Sequence, residues 1–370
     1  MQPLKILHIF RAPVGGLFRH VADLAREQSA RGHEVGLVAD STTGGEQAEK
    51  TLAALSETLK LGMTRTPMSR HAGLNDVTAV QQVAGALRAT KADVVHGHGA
   101  KGGAYARLAH GNALRVYTPH GGSLHFSRAN PFGFAYLTVE SWLLRRTDLA
   151  MFESEFAQRA YEEKIGKPRG LSRVAYNGVR EEEFDPVTPA PDAADILFVG
   201  ELRTLKGIGT LLDAIALLKS QGNELRAVIV GDGPDRATFE AQSKARSLET
   251  LVRFPGAMPA RKAFPLGRVL AVPSYAESLP YIVLEAAAAG LPVVATNVGG
   301  IPEIFGDERN ALIAPRDAKA FAKALLDTLA GKAAARTDNL RNRVREKFTV
   351  TAMTDAILAA YAEALTRKSA

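Results

Sequence analysis

An α/β fold of two doubly wound parallel-sheet domains is what three features of the sequence predict. Apolar strands alternate with amphipathic helices along most of the chain, which implies parallel sheets with helical crossovers. Several strands run into Gly-rich turns, where such sheets collect ligand groups. One stretch, Phe184–Asp195 (FDPVTPAPDAAD), is Pro-rich and without periodicity, and so separates two series. A chain of 370 residues, 46% of them hydrophobic, is too long for one core and comfortable for two. The expected boundaries are 1–184, a linker at 185–195, and 196–348.

In the first series, Leu4–Phe10 is a strand and Arg11–Gly16 a turn closing on Gly15 and Gly16. Leu17–Arg31 is an amphipathic helix, with Leu17, Val21, Leu24, Ala25 and Gln28 on one stripe and Gly32 ending it. Glu34–Ala39 completes a βαβ crossover. Paired glycines after a first strand let backbone approach a phosphate or sugar at a helix N-terminus. Ala92–His96 and Arg115–Thr118 are further strands, feeding turns that read HGHGAK (from His96) and TPHGGS (from Thr118). His96 and His98 share one face of an extended segment. No third ligand is apparent beside them, so no metal site is expected. Asn130–Arg146 carries Phe132, Phe134, Tyr136, Leu137, Trp142, Leu143 and Leu144, and ends in Arg145 and Arg146. It reads as a core-facing helix, with interfacial membrane contact as the alternative. Leu149–Glu153 and Arg173–Tyr176 are the last strands of this domain.

The second series runs strand Ile196–Gly200, helix Ile208–Ser220, strand Arg226–Gly231, turn Asp232–Pro234, helix Asp235–Arg246 and strand Val252–Phe254. Arg203 and Lys206 stand between the first strand and the first helix, a pair of cations before a helix N-terminus that suits a diphosphate. The organising stretch is Leu270–Glu303, LAVPSYAESLPYIVLEAAAAGLPVVATNVGGIPE. It reads as strand Arg268–Val272, polar loop Ser274–Leu279, helix from Pro280 to Gly290, and strand Pro292–Ala295. Glu285 lies in an almost wholly apolar helix, where a carboxylate needs a partner that offsets its desolvation. The end is helical: Ala318–Ala330, a basic segment Arg336–Lys347, and Thr349–Ala364.

Charge divides unevenly along the chain. Residues 1–146 hold 17 Lys and Arg against 10 Asp and Glu, and the remainder holds 29 of each. All nine histidines lie between His8 and His125. The first domain is therefore expected to meet something anionic. His96, His98, Lys101, His125 and Arg128 are its acceptor-side candidates. There is no Cys, which removes disulfides and thiolate metal sites and suits the cytoplasm. No apolar run approaches the roughly 20 residues of a membrane span, and the first residues lack the pattern of a signal peptide.

Glu277, seven residues, Glu285, then AAAAGLPVVA and GGIPE closely resemble the donor-site signature of retaining glycosyltransferases of family 4. The resemblance implies the GT-B architecture, two facing Rossmann-like domains with a cleft between them, and a final helix at 349–366 packed back on the first. It implies glycosyl transfer with retention, with no metal or other cofactor and with a nucleotide-sugar as substrate, UDP before GDP. Lys206 matches the family Lys that binds the donor diphosphate. The family Arg position holds Glu201, and Arg203, two residues on, is expected to take its place. Glu277 would hold a donor-sugar hydroxyl, Glu285 the ribose hydroxyls, and His120 would stand beside the transferred sugar. Gly15, Gly16, Gly231, Phe254, Ser278, Leu279, Tyr281 and Ile282 complete the donor side. Glu-Ser-Leu-Pro replaces the usual Glu-Gly-Phe-Gly, so phosphate contacts fall to the Tyr281 and Ile282 amides.

The charge split and the Phe132–Arg146 stripe suggest a lipid-linked saccharide acceptor in surface polysaccharide synthesis. The enzyme is then expected at the cytoplasmic membrane face, held peripherally and with no nucleic-acid partner. A sugar-nucleotide epimerase of the same architecture and a non-catalytic sugar-binding protein are the alternatives. An NAD enzyme would need G-x-G-x-x-G after the first strand, and GGLFRH is not that pattern.

Overall fold

The computed structural model describes residues 2–69, 73, 75–122 and 129–369. The chain divides into two compact units, Met1–Gly178 with Val350–Ala370, and Val179–Thr349. In the first, β1 (Lys5–Phe10), α1 (Gly15–Ala30), β2 (Glu34–Asp40), α2 (Gly45–Ser56), β3 (Met63–Thr66), α3 (Asn75–Thr90) and β4 (Val94–His98) come in order. They are followed by α4 (Gly99–Leu108), β5 (Leu114–Thr118), α5 (Pro131–Leu143), β6 (Leu149–Phe152), α6 (Glu155–Lys164) and β7 (Leu171–Val174). In the second, β8 (Ala194–Val199), α7 (Ile208–Ser220), β9 (Ala227–Val230), α8 (Arg236–Ala245), β10 (Val252–Gly256), α9 (Ala260–Ala263) and β11 (Gly267–Val272) lead the order. Then come α10 (Tyr281–Ala288), β12 (Val293–Ala295), α11 (Ile301–Phe305), α12 (Ala318–Leu329), α13 (Ala334–Lys347) and, returning to the first unit, α14 (Val350–Ser369).

Both sheets are parallel and both reverse their winding once. The first runs β3-β2-β1-β4-β5-β6-β7, and the second β10-β9-β8-β11-β12. The reversals lie between β1 and β4 and between β8 and β11, the places where open α/β sheets leave a crevice at the strand C-ends. The strands read as continuous apolar runs because helices cover both faces: Ile6, Ile9, Val94, Val116 and Leu149 are fully buried, as are Leu197, Ile229 and Leu270.

The boundary differs from the expected one. The crossings fall at 178/179 and 349/350, where Val179 bridges Thr349 and its amide donates to the Phe348 carbonyl at 2.8 Å. Residues 185–195 are no free linker. The Val187 amide donates to the Ala289 carbonyl and the Ala190 amide to the Pro265 carbonyl, which stitches the segment onto the second unit. The Ala193 amide in turn donates to the Ala190 carbonyl at 2.9 Å.

α14 covers β5, β6 and β7 with Met353, Ile357, Tyr361 and Ala364, all buried in one cluster with Val116, Leu149 and Leu171. α5 is split by face: Leu137 and Leu143 are buried, while Phe134, Val139 and Trp142 are exposed. What fixes its buried face is an ion pair. Arg107 on α4 donates to both oxygens of Glu140 at 2.8 and 3.1 Å, Tyr161 donates to the same carboxylate at 2.9 Å, and the guanidinium lies 3.8 Å over the Tyr117 ring. A charge so buried is tolerable because it is paired with a guanidinium and accepts three hydrogen bonds.

Candidate functional site

Each unit gathers polar residues where its sheet reverses. In the second, β8 runs out at Val199, and Arg203 precedes a single 3-10 turn, Thr204–Lys206, that brings Lys206 back over the sheet end. The Thr204 amide and hydroxyl both donate to Asp235 Oδ2 at 2.7 Å, so the turn after the GDGP glycines holds the Lys206 turn in place. Gly207 then adopts φ 70°, and a Cβ there would lie 1.8 Å from the Pro273 carbonyl oxygen, so only glycine lets the turn pass under the loop after β11. That loop carries Glu277. Lys206 Nζ donates to Glu277 Oε1 at 2.7 Å and to Oε2 at 3.0 Å, and the Ser274 hydroxyl donates to Oε1 at 2.7 Å. The Glu277 side chain is only 9% exposed and Lys206 29%. Gly299 closes the loop from beneath, with φ 61° and a would-be Cβ 1.9 Å from the Glu277 carbonyl oxygen.

The remaining donor-side residues are spread around this pair. Pro280 precedes α10 rather than opening it, and Tyr281 and Ile282 form its first turn. Glu285 follows on α10, partly buried, and Ser278 accepts the Gly300 amide at 2.6 Å through its carbonyl. Leu279 has its side chain buried, which leaves only backbone for a ligand. Gly231 follows β9, and Phe254, on β10, accepts an Arg236 hydrogen bond on its carbonyl. Arg203 is half-exposed and pairs with Glu201 at 3.6 Å, so the acidic residue at the family Arg position is itself matched by the Arg next to it.

The first unit does something else. Gly15 and Gly16 open α1 directly. β4 does not end in a turn at His96, as expected, but continues to His98 and passes straight into α4 at Gly99. His8 on β1 is in register with His96 on β4, so the reversal of the sheet sets their rings side by side. His20 comes in from α1 and His120 from just beyond β5. Five imidazoles thus form one group: ring centroids of His96 and His98 lie 3.9 Å apart, His8 and His98 5.2 Å, His98 and His120 5.3 Å, His20 and His120 4.7 Å.

Their hydrogen bonds form two chains. One runs Gln28 Oε1, His8, His98, His120, with ring-nitrogen contacts of 2.8, 2.9 and 3.0 Å. The other joins Tyr361 Oη, His96 and Thr118 Oγ1 at 2.6 and 2.7 Å. His20 Nδ1 meets Asn177 Oδ1 at 3.0 Å, while its Nε2 is buried without a partner among the described residues. Burial disfavours the imidazolium throughout. It lowers His8 and His20 to about 4, and puts His96, His98 and His120 well below their ordinary 6.5.

Two expectations are corrected here. His96 and His98 are fully buried rather than facing an acceptor, and neither carries charge at neutral pH, because burial and then the neighbouring imidazoles disfavour the imidazolium. A third imidazole does exist: His8, His96 and His98, and likewise His20, His98 and His120, bring ligand atoms within 4.8 Å of one another. Either trio has a spacing a divalent transition metal accepts, although most of the ring nitrogens are already engaged by one another, Gln28, Thr118 and Tyr361. Lys101 is held at 2.5 Å by Asp76 on α3, which reduces the free positive charge at this end. His125 and Arg128 lie outside the described residues.

Comparison with known proteins identifies a sugar-transferring class. The family model for glycosyltransferase family 4 matches residues 14–183, and that for glycosyl transferases group 1 matches 179–348. The chain is 32% identical over 254 residues to the putative glycosyltransferase EpsD of Bacillus subtilis, covering 62% of this chain and 66% of that one. It is 30% identical over 254 residues to the putative teichuronic acid biosynthesis glycosyltransferase TuaC of the same organism, covering 63% and 60%. The chain thus spans 66% and 60% of the length of these two relatives. The HepE protein of Anabaena, solved with UDP and glucose, superposes with a TM-score of 0.79 at 19% identity, over 97% of this chain and 99% of that one. The chain belongs to glycosyltransferase family 4, and each of its units is a half of the GT-B fold.

Proposed function

We propose that the chain moves a hexose or N-acetylhexosamine from a nucleotide-diphosphate sugar to a saccharide acceptor, with retention at the anomeric carbon, in building a surface polysaccharide. The Lys206–Glu277 pair carries this reading, since it sets a cation and an acceptor carboxylate side by side where the second sheet reverses. In it, Lys206 and Arg203 face the diphosphate, whose charge grows as it leaves, so that the chain's own cations rather than a metal ion stabilise it. Glu277 holds a sugar hydroxyl and Glu285 the ribose hydroxyls. Tyr281 and Ile282 amides meet phosphate, Gly231 and Phe254 border the base, Ser278 and Leu279 offer backbone, and Gly15 and Gly16 offer amides on the first unit. His120 stands beside the sugar. UDP is the favoured nucleotide, with GDP next, a choice that the UDP in the HepE structure supports.

For the acceptor, the reading is a lipid-linked saccharide at the cytoplasmic membrane face. The outer face of α5 supports it: Phe134, Val139 and Trp142, each about half-exposed, adjoin Arg145 and Arg146, a combination suited to an anionic interface. No helix among the described residues is long and apolar enough to cross a membrane.

A panel of UDP- and GDP-sugars in thermal melts tests the donor, because a ligand bound only by the folded state raises Tm. The expected result is a rise with one UDP-sugar, and nucleoside diphosphate release that depends on added saccharide acceptor. Release of an isomerised sugar without acceptor would replace transfer by epimerisation.

A further inference from the structure

We infer that Gln28, His8 and His98 are positioning residues that fix the tautomer of His120, holding its proton on Nε2 and leaving Nδ1 as a hydrogen-bond acceptor. The argument is one of donor and acceptor sense. A carbonyl oxygen only accepts, so at 2.8 Å from Gln28 Oε1 the His8 Nε2 must carry a proton. A neutral imidazole has one N–H, which makes His8 Nδ1 an acceptor, and the proton in its 2.9 Å contact then belongs to His98 Nε2. By the same step His98 Nδ1 accepts, and His120 Nε2 donates to it across 3.0 Å. One amide at the buried end of α1 thereby dictates the protonation of a ring three links away. Burial that keeps these imidazoles neutral lets the sense propagate, because an imidazolium anywhere in the chain would donate from both sides. Turning the Gln28 amide around would reverse every bond and present His120 Nδ1 as a donor instead.

In the other chain His96 is engaged on both nitrogens by Tyr361 and Thr118, and His96 itself shares no hydrogen bond with the first. Among the described residues His120 Nδ1 has no hydrogen-bond partner, and His120 is the one ring of the relay that is partly exposed. Its backbone is left-handed, φ 51°, so that the chain turns sharply just after β5 and leaves the ring at the end of the relay. On the proposed function, this nitrogen accepts a hydroxyl of the transferred sugar, and a hydroxyl rather than a phosphate oxygen is what a bare imidazole nitrogen selects.

The test begins with the unaltered protein. Nitrogen-15 histidine NMR at mildly alkaline pH reads each ring directly, and His8, His98 and His120 should all show protonated Nε2 and bare Nδ1. Protonated Nδ1 at His120 overturns the inference. Gln28→Leu should scramble the tautomers of His8 and His98 and lower kcat roughly 10- to 100-fold with KM nearly unchanged, as expected when a ring whose bond to the transferred sugar strengthens in the transition state loses its tautomer. Gln28→Met, which fills the same space without an acceptor oxygen, should scramble the tautomers and lower turnover as the Leu variant does. If Gln28 merely fills space, the Leu and Met variants keep the native tautomers and turnover, and that result also overturns the inference. The NMR result stands whether or not sugar is transferred, so failure of the relay and failure of the proposed function are separately visible.

Discussion

The two units solve one topological situation in opposite ways. Each presents a parallel sheet whose winding reverses once, and each has a cluster of polar side chains at the reversal. In the second unit the cluster is charged and partly solvated: Lys206 with Glu277, Arg203 with Glu201, each cation matched by an acid. In the first it is neutral and buried: five imidazoles, two amides, a phenol and a hydroxyl, with burial suppressing every charge. A group of fixed charge needs solvent or a counterion nearby, whereas neutral imidazoles can be packed with their hydrogen bonds closed on one another. The difference separates a place suited to offsetting charge from one suited to reading hydroxyls.

The sharpest way to break the comparison is acid. His8 and His20 have folded values near 4 against an ordinary 6.5, so the unfolded chain binds more protons between those values. The stability present above 6.5 is therefore lost as pH falls toward 4, by about 1.4 kcal/mol per pH unit for each of the two histidines while both are in that window. The second unit has no histidine and should lack this loss. Calorimetry across the window, with the single Trp142 reporting the first unit, should show its transition shifting ahead of the other. A transition insensitive to pH in this range would contradict the burial of the cluster.

Next in size, Lys206→Ala should lower turnover by about 100-fold or more with the circular dichroism spectrum unchanged, since on the proposed function it removes a cation facing charge that grows in the transition state. Near-normal turnover would take Lys206 out of the site. Smaller and more diagnostic is a pair of variants. Glu285→Gln should weaken calorimetric binding of the bare nucleoside diphosphate about tenfold, one hydrogen bond to a charged group, while Glu277→Gln should chiefly lower kcat. Equal losses in both assays would undo the division of roles between them.

The smallest effect concerns the surface. On the proposed function, with His96, His98 and His120 neutral, attraction of the first unit to anionic vesicles would rest on Lys and Arg, each adding about 1 kcal/mol near the bilayer at modest ionic strength. Cosedimentation should fall steeply with salt and drop further in Trp142→Ala. Binding indifferent to lipid charge would remove the membrane from the proposal.

The sequence was legible where an element repeats its own pattern. Helix Ile208–Ser220 is found as read, since an apolar stripe between Gly207 and a polar exit leaves little choice. Residues 41–91 gave no pattern strong enough to assign, yet hold α2, β3 and α3. β3 is four residues long, and on α3 only Ala79, Val83, Ala84 and Leu87 are buried. Lys206 and Glu277 were found because motifs place them, but Ser274 and Asp235, which hold them, look like ordinary turn residues. The histidine group was beyond reach for a different reason. It depends on His8 and His96 being in register across 88 residues and on α1 delivering His20 and Gln28. The one local signal is histidine at successive strand ends, which by itself suggests a charged surface, whereas the rings are buried and neutral. Arg107 and Glu140, 33 residues apart, carry no local signature at all.

α14 gives the order of assembly a direction. Its residues complete the core over β5, β6 and β7, and Tyr361 supplies the hydroxyl that holds His96. A ribosome must therefore finish the whole of Val179–Thr349 before the first unit can close, so the earlier-made sheet waits with one face bare while the later-made one is already able to fold. Nascent chains arrested before Val350 should bind chaperones through that face and shed them once the helix emerges.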